Sequence, residues 1–396
     1  TSRDQKLLPY HDELKKVGAC FGQSGEYERP MWFALDGNKP EYEYSFNYQN
    51  WYPSVEHESK NTIENIGLFE LSPFSKYEVK GDKAYEELQR LCTANIKNEI
   101  GKCTYTHMLN EGAGIETDLT VVCLEKNHFR IISSAAVRTH DKAHIIKHLS
   151  KDLEFKDVTD ELVCLGIFGP KSRNLLSKIT DEDLTNKNFK FGTSKNIKLN
   201  SINVWAQRLS YVGELGYELY IQKENAKEIY DLIVNTGKDF GLTHCGAHTM
   251  DTMRMESGFL HWGHDISPEE NQYQAGLNFT ISYKKPFNFI GKENLLKIKS
   301  QKLERRFVML VLKDNTPGKP LLLHEEPIYL DDDIVGKTTS GNYSFNYNKN
   351  LSFGYINSEF SNKQLVDKNL YIEIEKKKYP AELLLKPLKF HNFKNI

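Results

Sequence analysis

Two carboxylates occupy positions where a charged side chain is costly, and they are the residues best suited to chemistry. Asp118 lies between a glycine-containing turn and the apolar run of residues 119–124. Glu218 lies within residues 217–221, a stretch that is otherwise aromatic and aliphatic. A buried carboxylate needs a backbone cap, a cation or a ligand N–H group to offset its desolvation. These positions therefore predict either local pairing or recognition of a hydrogen-bonding ligand.

Each acid also has a structural alternative. Asp118 can act as a turn aspartate that accepts backbone N–H bonds. Glu218 can pair with Arg208 on a neighbouring predicted strand, or it can accept hydrogen bonds from the N–H edge of a ligand. Asp251 and Arg254 are three residues apart on a predicted helix, where an intrahelical ion pair is the structural interpretation. Residue type and spacing alone leave these alternatives open.

Other chemistry finds less support in the sequence. His261, His264 and Asp265 lie within five residues and could ligate a metal, but they lack the H-E-x-x-H spacing, so hydrogen-bonded histidines are the alternative and no metal is predicted. The sequence has no phosphate loop and no G-x-G-x-x-G between a strand and a helix, and it has no G-x-S-x-G. Nucleotide hydrolysis, dinucleotide binding and a serine nucleophile are therefore not predicted.

The composition excludes further classes. The chain has 396 residues, and its 52 basic and 54 acidic side chains leave a net charge of −2, which argues against nucleic-acid and membrane-surface partners. It has no apolar run of membrane-spanning length and no signal peptide, so we expect a soluble, cytoplasmic protein. Aromatic residues make up 12% of the chain, with 21 Tyr and 21 Phe, which supplies flat surfaces for a planar ligand.

The elements that must position these residues can also be read from the pattern. Residues 105–109 and 119–124 predict a hairpin, and residues 205–211 and 217–221 predict two strands about a turn. Residues 250–256 predict a helix, and the charged stretch 296–304 is interpreted as a linker. The remainder is rich in short strands, which predicts a small barrel or jelly roll. At this length two or three domains are expected.

Ordered segments along almost the whole chain carry a family resemblance. They are residues 27–33, 67–76, 108–121, 169–173, 208–219, 254–256, 262–263, 289–292 and 335–340. These segments resemble the aminomethyltransferase family, which includes the glycine-cleavage T-protein. They are more closely similar to the folate-binding C-terminal halves of dimethylglycine and sarcosine dehydrogenases. Two positions depart from the family pattern: Ala113 stands where a glycine is usual, and Glu70 where an aspartate is usual.

The resemblance implies an α+β fold, a three-domain cloverleaf around a central folate channel. Residues 1–76 and 161–275 are expected to form the discontinuous folate-binding domain 1. Residues 77–160 and 276–302 are expected to form the α+β domain 2. Residues 303–396 are expected to form a C-terminal domain resembling a β-barrel or jelly roll.

The resemblance also assigns roles to particular residues. It implies that Asp118 is catalytic, beside the folate nitrogens that receive the one-carbon unit, and that Glu218 hydrogen-bonds the pterin. The other residues implied to bind the cofactor are Tyr211, Arg254, Tyr105 and Trp262. A pterin presents an amino group and a ring N–H side by side, which suits a carboxylate acceptor.

The function implied is a tetrahydrofolate-dependent transferase or demethylase that takes a methylene or methyl group from a small methylated amine such as dimethylglycine or sarcosine. One alternative is a non-catalytic folate-binding subunit that receives formaldehyde or an iminium from a separate flavoprotein dehydrogenase. Another is direct methyl transfer from a quaternary ammonium or sulfonium donor. The chain has no flavin-domain signature, so it corresponds to a free-standing folate-binding half or to part of a longer protein.

Overall fold

A computed structural model describes residues 3–357, 359–390 and 393–396. The α-helices in these residues are α1 (His11–Lys16), α2 (Tyr52–Glu64), α3 (Ala84–Leu91), α4 (Arg138–His148), α5 (Ser172–Leu176), α6 (Ala226–Gly237), α7 (Ala247–Glu256), α8 (Lys292–Ser300) and α9 (Asn362–Leu365). The strands up to residue 245 are β1 (Ala19–Ser24), β2 (Tyr27–Phe33), β3 (Ile66–Glu70), β4 (Ser75–Lys80), β5 (Cys103–Leu109), β6 (Ile115–Glu125), β7 (His128–Ser133), β8 (Glu154–Asp157), β9 (Leu162–Phe168), β10 (Ser194–Leu199), β11 (Ile202–Gln207), β12 (Gly216–Gln222) and β13 (Leu242–Cys245). The later strands are β14 (Arg305–Leu312), β15 (Pro327–Leu330), β16 (Asp333–Ser344), β17 (Lys349–Asn357), β18 (Leu370–Ile374) and β19 (Lys377–Leu384).

A six-stranded sheet is buried on both faces. Its order is β10-β11-β12-β9-β3-β13, and β13 pairs with β3 in parallel while the other pairs are antiparallel. All seven residues of β9 are buried, which explains its unbroken apolar sequence. On one face α6 packs through Ala226, Ile229 and Ile233, whose spacing forms an apolar stripe. The opposite face carries Trp205 and Tyr220 and belongs to a second core cluster.

A second, five-stranded antiparallel sheet has the order β5-β6-β7-β4-β8. Leu119, Val121 and Cys123 on β6 share a core cluster with α3. Side chains alternate along a strand, so Asp118 projects from the opposite face. That face also carries Ile132 of β7, which packs in the core cluster of Trp205 and Tyr220. The Asp118 face therefore packs toward the six-stranded sheet.

The last strands close a barrel in the order β14-β17-β16-β15-β18-β19. Its interior is a separate apolar cluster. Met255 of α7 packs against Val311 and Phe353 on the outside of this barrel, which joins the barrel to the helix that carries Arg254. The predicted α+β class and the C-terminal barrel are confirmed, and the closed form distinguishes a barrel from a jelly roll.

The structure differs from the sequence-based predictions at α8 and at Tyr211. Residues 292–300 form α8 with Leu295 buried, so the interpretation of residues 296–304 as a linker was wrong over most of its length. Strand β11 ends at Gln207, so Tyr211 lies in the following loop rather than in a strand. The domain bounds stay a prediction. Among the residues described, no helix is long and apolar enough to cross a membrane.

Candidate functional site

Asp118 lies inside β6, beyond the turn that precedes the strand. The β5–β6 register pairs it with His107, and His107 Nε2 lies 3.5 Å from Asp118 Oδ1. Tyr105, two residues before His107, projects from the same face, and its hydroxyl lies 3.3 Å from His107 Nε2. Asp118 Oδ1 is buried and has no hydrogen-bond partner in the described part of the chain. The interpretation of Asp118 as a turn aspartate capping backbone N–H groups was therefore wrong.

His107 is a neutral, fully buried neighbour of this carboxyl, and burial lowers its pKa to about 3. The Thr280 hydroxyl donates to Leu277 O at 2.7 Å, so its oxygen accepts from His107 Nδ1 at 3.1 Å. The Gln272 amide nitrogen also lies 3.3 Å from Nδ1, but its two N–H groups donate to Thr93 and Thr280, so we assign the imidazole proton to Nδ1. His107 Nε2 then presents a lone pair toward Asp118 and Tyr105.

The Asp118 carboxyl titrates near neutral pH. Burial raises its pKa to about 7, and Asp141 also raises it, while a hydrogen bond with Tyr105 lowers it. The side chain is still 17% exposed, so a ligand can reach it. A carboxyl with a pKa near 7 can exchange protons at physiological pH, which suits it to general acid–base chemistry.

Glu218 lies on β12 and faces the same interior space. It is opposite Gln207 on β11, and its carboxylate accepts a hydrogen bond from the Tyr220 hydroxyl at 2.9 Å. Burial raises the pKa of Glu218 to about 7. Gln207 is fully buried, and neither atom of its amide finds a hydrogen-bond partner within the described residues. Buried polar groups are nearly always satisfied, so this pair has unused capacity for a ligand's donors and acceptors.

Arg208 does not pair with Glu218, so that alternative was wrong. Its guanidinium is buried and donates to Phe189 O at 2.7 Å, to Asn186 Oδ1 and to Ile396 O. The physical reason is the strand period, which sends consecutive side chains to opposite faces. Gln207 therefore shares the face of Glu218, and Arg208 binds the chain terminus on the other side.

Tyr211 and Trp262 are both held by the backbone of other segments. The Tyr211 hydroxyl donates to Leu260 O at 2.9 Å, and its ring lies at 6.0 Å from the ring of Phe259. Trp262 Nε1 donates to Ile115 O at 3.0 Å, which ties its loop to the start of β6. These contacts orient two flat side chains beside the strand that carries Asp118.

Each of the three guanidinium nitrogens of Arg254 donates a hydrogen bond within the protein. Its Nε donates to Asp251 Oδ1 at 2.8 Å, as predicted for an intrahelical pair, and its Nη1 donates to Asp265 Oδ2 at 2.5 Å. Its Nη2 donates to Ser340 Oγ on the barrel at 2.8 Å. Arg254 is 2% exposed, so it joins α7, the following loop and the barrel rather than facing open space.

The candidate metal ligands are also engaged. Asp265 is fully buried and accepts hydrogen bonds from Arg254, Thr339 and Ser340. The rings of His261 and His264 stack at 4.7 Å. Within the part of the chain that the structure covers, no group of three His, Cys, Asp or Glu side chains is arranged to hold a metal ion.

Several of these residues lie between the facing sides of the two sheets, in a space that we call the cleft. Tyr105 is 41% exposed and the Asp251 side chain 40%, yet desolvation is the largest influence on the pKa of each. Both side chains are therefore accessible to solvent although other protein atoms lie close to them. Asp118 lies close enough to Tyr105 and Tyr211 for its charge to raise the pKa of each phenol. Glu218 similarly raises the pKa of Cys103, which projects from the same face of β5 as Tyr105.

The two departures from the family pattern have different local settings. Ala113 adopts φ 73°, the left-handed region that glycine prefers. Position 114 requires glycine, because a Cβ atom added to Gly114 would lie only 2.0 Å from Pro268 O. Glu70 is buried and accepts hydrogen bonds from the Tyr10 hydroxyl and the Ser72 backbone N–H. Glu70 therefore has a structural role in the core.

His107, Gln207 and Arg29 belong to this site or border it, and the sequence reasoning gave none of them a role. Strand alternation could have suggested the first two, because each lies opposite a predicted site carboxylate. Only the register of the sheets identifies them, since several partners are compatible with the same alternation.

The raised pKa of Asp118 predicts a pH-dependent effect on stability. The folded protein retains this proton up to about pH 7, whereas the unfolded chain releases it near 3.8, so the contribution of Asp118 to stability falls as pH rises between these values. We expect Asp118→Asn to gain stability relative to the wild type by on the order of 2 kcal/mol between pH 5 and pH 8. Urea unfolding at both pH values measures this difference.

A matched control is Glu125→Gln, which removes an exposed carboxylate at the end of the same strand. Its stability relative to the wild type should change by less than about 1 kcal/mol between pH 5 and pH 8, because its contact with His128 is 4.0 Å long and exposed to solvent. Equal pH dependence in Asp118→Asn and the wild type would show that Asp118 is ionised in the folded protein throughout this range.

Two family models match the chain. The GCVT N-terminal domain matches residues 10–285, and the glycine cleavage T-protein C-terminal barrel domain matches residues 305–389. Together they span both sheets and the barrel.

Curated relatives align over most of the chain. 4-Methylaminobutanoate oxidase (formaldehyde-forming) of Paenarthrobacter nicotinovorans is 35% identical over 389 residues, covering 98% of this chain and 46% of that protein. Human mitochondrial dimethylglycine dehydrogenase is 35% identical over 365 residues, covering 91% and 41%. An aminomethyltransferase of Halothermothrix orenii is 32% identical over 306 residues, covering 77% and 84%. The chain thus spans less than half the length of the first two relatives.

A solved structure has the same fold. The glycine cleavage system aminomethyltransferase T of Bartonella henselae superposes with a TM-score of 0.83, covering 98% of this chain and 99% of that one, at 21% identity. This similarity confirms the predicted fold class.

Proposed function

Because the chain belongs to the glycine-cleavage T-protein family, we propose that it is a tetrahydrofolate-dependent one-carbon transferase acting on a small methylated amine such as dimethylglycine or sarcosine. The observation that carries the proposal is the cleft between the two sheets. The proposal is supported by the position of Asp118, whose carboxyl has a pKa of about 7, on the side of its sheet that faces the sheet of Glu218.

The residues of the cleft fit a pterin. The Glu218 carboxylate can accept two adjacent N–H donors, and the buried Gln207 amide lies beside it without a hydrogen-bond partner among the described residues. Tyr211, Tyr105 and Trp262 supply aromatic walls for a planar ring. Arg254 acts indirectly, since its bonds to Asp251 and Asp265 hold α7 and the next loop at the cleft.

Bound tetrahydrofolate supplies an amine nucleophile that accepts the one-carbon unit. In this proposal Asp118 orients that amine, and its anionic form stabilises positive charge that develops beside it. Asp118 also receives the proton that leaves, which its raised pKa permits at neutral pH. His107 Nε2 can accept a hydrogen bond from the protonated carboxyl, because the Thr280 contact keeps its own proton on Nδ1.

The proposed donor class is supported by the names of the relatives. Two of them are named for the oxidation of N-methylated amino acids, dimethylglycine and 4-methylaminobutanoate. A third is named an aminomethyltransferase. The first two names share an N-methylated amino acid as the compound that is oxidised, and the third names the transfer of an aminomethyl group.

A second candidate function follows from the length comparison. The chain spans 46% and 41% of two oxidising relatives, so it can serve as a non-catalytic folate-binding subunit that receives formaldehyde or an iminium from a flavoprotein dehydrogenase. Co-purification with a flavin-containing protein, with no transfer by the isolated chain, favours this candidate.

A donor screen tests the main proposal. The protein is incubated with tetrahydrofolate and each candidate amine, with and without a flavoprotein dehydrogenase, and the folate product is identified by mass. Without the flavoprotein we expect methyl-tetrahydrofolate, because methyl transfer needs no oxidant, and with it methylene-tetrahydrofolate, because the flavin oxidises the N-methyl group; each should form faster than in a reaction without this chain. The absence of both tetrahydrofolate binding and product would overturn the proposal, and product only when the flavoprotein is added would favour the subunit function.

A further inference from the structure

Arg29, on β2, is a cation without a matching anion. Its guanidinium lies 5.8 Å from the centre of the Phe74 ring, and its Nη2 lies 3.6 Å from Met250 Sδ. Its Nε is buried without a hydrogen-bond partner, and no described carboxylate lies within salt-bridge distance of it. The side chain is nevertheless partly exposed, so the guanidinium remains reachable.

The nearest carboxylates are already engaged. Glu70 accepts hydrogen bonds from the Tyr10 hydroxyl and from a backbone N–H, and Asp251 accepts hydrogen bonds from Arg254 and from an asparagine amide. These two acids influence the pKa of Arg29 only through their charge at a distance. Neither is free to neutralise Arg29.

The electrostatic cost of this arrangement is visible in the pKa of Arg29, which burial lowers to about 10. The side chain still carries its charge at neutral pH. Arg254, on the other side of Asp251, shows the usual solution, with two carboxylates and a hydroxyl around its guanidinium. Buried charges without a partner are rare because no favourable interaction offsets the free-energy cost of their desolvation.

Arg29 also lies near the cleft. Tyr211 and Asp251, which line it, are close enough to Arg29 for their charges to act on its pKa. Phe74 and Met250 supply apolar walls around the guanidinium. A planar fork of N–H donors between apolar walls is suited to a carboxylate, which it can bind through two parallel hydrogen bonds.

We propose that Arg29 binds the carboxylate of a small-molecule ligand in this cleft, so that the site selects amino-acid-like ligands over amines without a carboxylate. The inference rests on the proposed function and adds a recognition site to it. Two ligands carry this chemistry there: the glutamyl tail of tetrahydrofolate and an N-methylated amino acid.

Calorimetry with matched ligand pairs tests the proposal and distinguishes the two sources. Tetrahydrofolate is compared with its glutamyl bis-amide, in which both carboxylates of the tail are replaced by carboxamides, and dimethylglycine with N,N-dimethylethylamine. We expect the wild type to prefer the carboxylate member of at least one pair by about tenfold or more. Arg29→Met should abolish that preference, and Arg29→Lys should retain only part of it because lysine lacks the fork. The pair that responds identifies the carboxylate.

Stability measurements separate ligand binding from a structural role. Removing an unpaired buried charge should leave the melting temperature of the ligand-free protein unchanged or raise it. Arg90→Met is the matched control, because Arg90 lies on the surface of α3 in an ion pair with Glu87, and it should change no ligand preference. Loss of stability in Arg29→Met without loss of preference overturns the proposal.

The remaining outcomes are also decisive. A wild type without carboxylate preference in either pair overturns the inference, and this comparison does not depend on the folding of any variant. Failure of the wild type to bind both pterins overturns the proposed function instead, while the dimethylglycine pair still tests Arg29.

Discussion

Asp118→Asn lowers one-carbon transfer to tetrahydrofolate by about 10²–10⁴-fold, the range expected when a positioned acid–base group is removed. Asparagine preserves the shape of the side chain, but it can neither take a proton nor present a negative charge to the reacting amine. Because Glu218 and the aromatic walls are untouched, the affinity for tetrahydrofolate should change by less than about tenfold. Steady-state turnover and calorimetry measure the two effects separately.

The control for this prediction is again Glu125→Gln at the exposed end of the strand. It should turn over at the wild-type rate. Turnover by Asp118→Asn within about threefold of the wild type would show that Asp118 is not the catalytic group, because removal of general acid–base catalysis has a much larger effect. A loss of folate binding in proportion to the loss of rate would make Asp118 a binding residue.

Glu218→Gln weakens tetrahydrofolate binding by on the order of 10²-fold, because a charge-assisted bidentate acceptor is replaced by an amide that accepts through one atom only. The pKa of Glu218 is raised to about 7 by burial, so the carboxylate form becomes more populated as pH rises through 7. Wild-type affinity should therefore increase between pH 6 and pH 8. The Glu218→Gln variant should lose this dependence, which calorimetry at three pH values can follow.

Glu224→Gln is the matched control, since Glu224 is exposed just beyond the end of β12. Its affinity and pH dependence should equal those of the wild type. Unchanged tetrahydrofolate affinity in Glu218→Gln would remove Glu218 from the pterin site and leave Gln207 and Tyr220 with an unexplained buried polar cluster.

The predictability of the site varied between residues for physical reasons. Asp118 and Glu218 could be singled out because burying a carboxylate in an apolar strand costs free energy unless a partner or a ligand offsets it. The β5–β6 hairpin and helix α7, with its Asp251–Arg254 pair, followed from local periodicity and were confirmed. The salt bridge between Arg208 and Glu218 was wrong because adjacency in sequence does not show which face of the next strand is opposite.

Longer-range features were beyond local reasoning. The tautomer of His107 is set by Thr280, 173 residues away, whose hydroxyl oxygen accepts a hydrogen bond from Nδ1–H. Arg29 is unpaired because its nearest acids, Glu70 and Asp251, are committed to other partners. Neither feature can be predicted from the residues that precede and follow His107 or Arg29 in the sequence.

The sequence by itself therefore determined most of the elements and the two carboxylates, since strand and helix periods and the cost of burying charge are local properties of the chain, while the class of fold followed from the family resemblance. Only the tertiary structure decided which groups meet those carboxylates. The packing of the two sheets sets which residues lie opposite each carboxyl, how far the carboxyl is desolvated and which hydrogen-bond partners it has. Together these factors raise the pKa of Asp118 and of Glu218 to about 7.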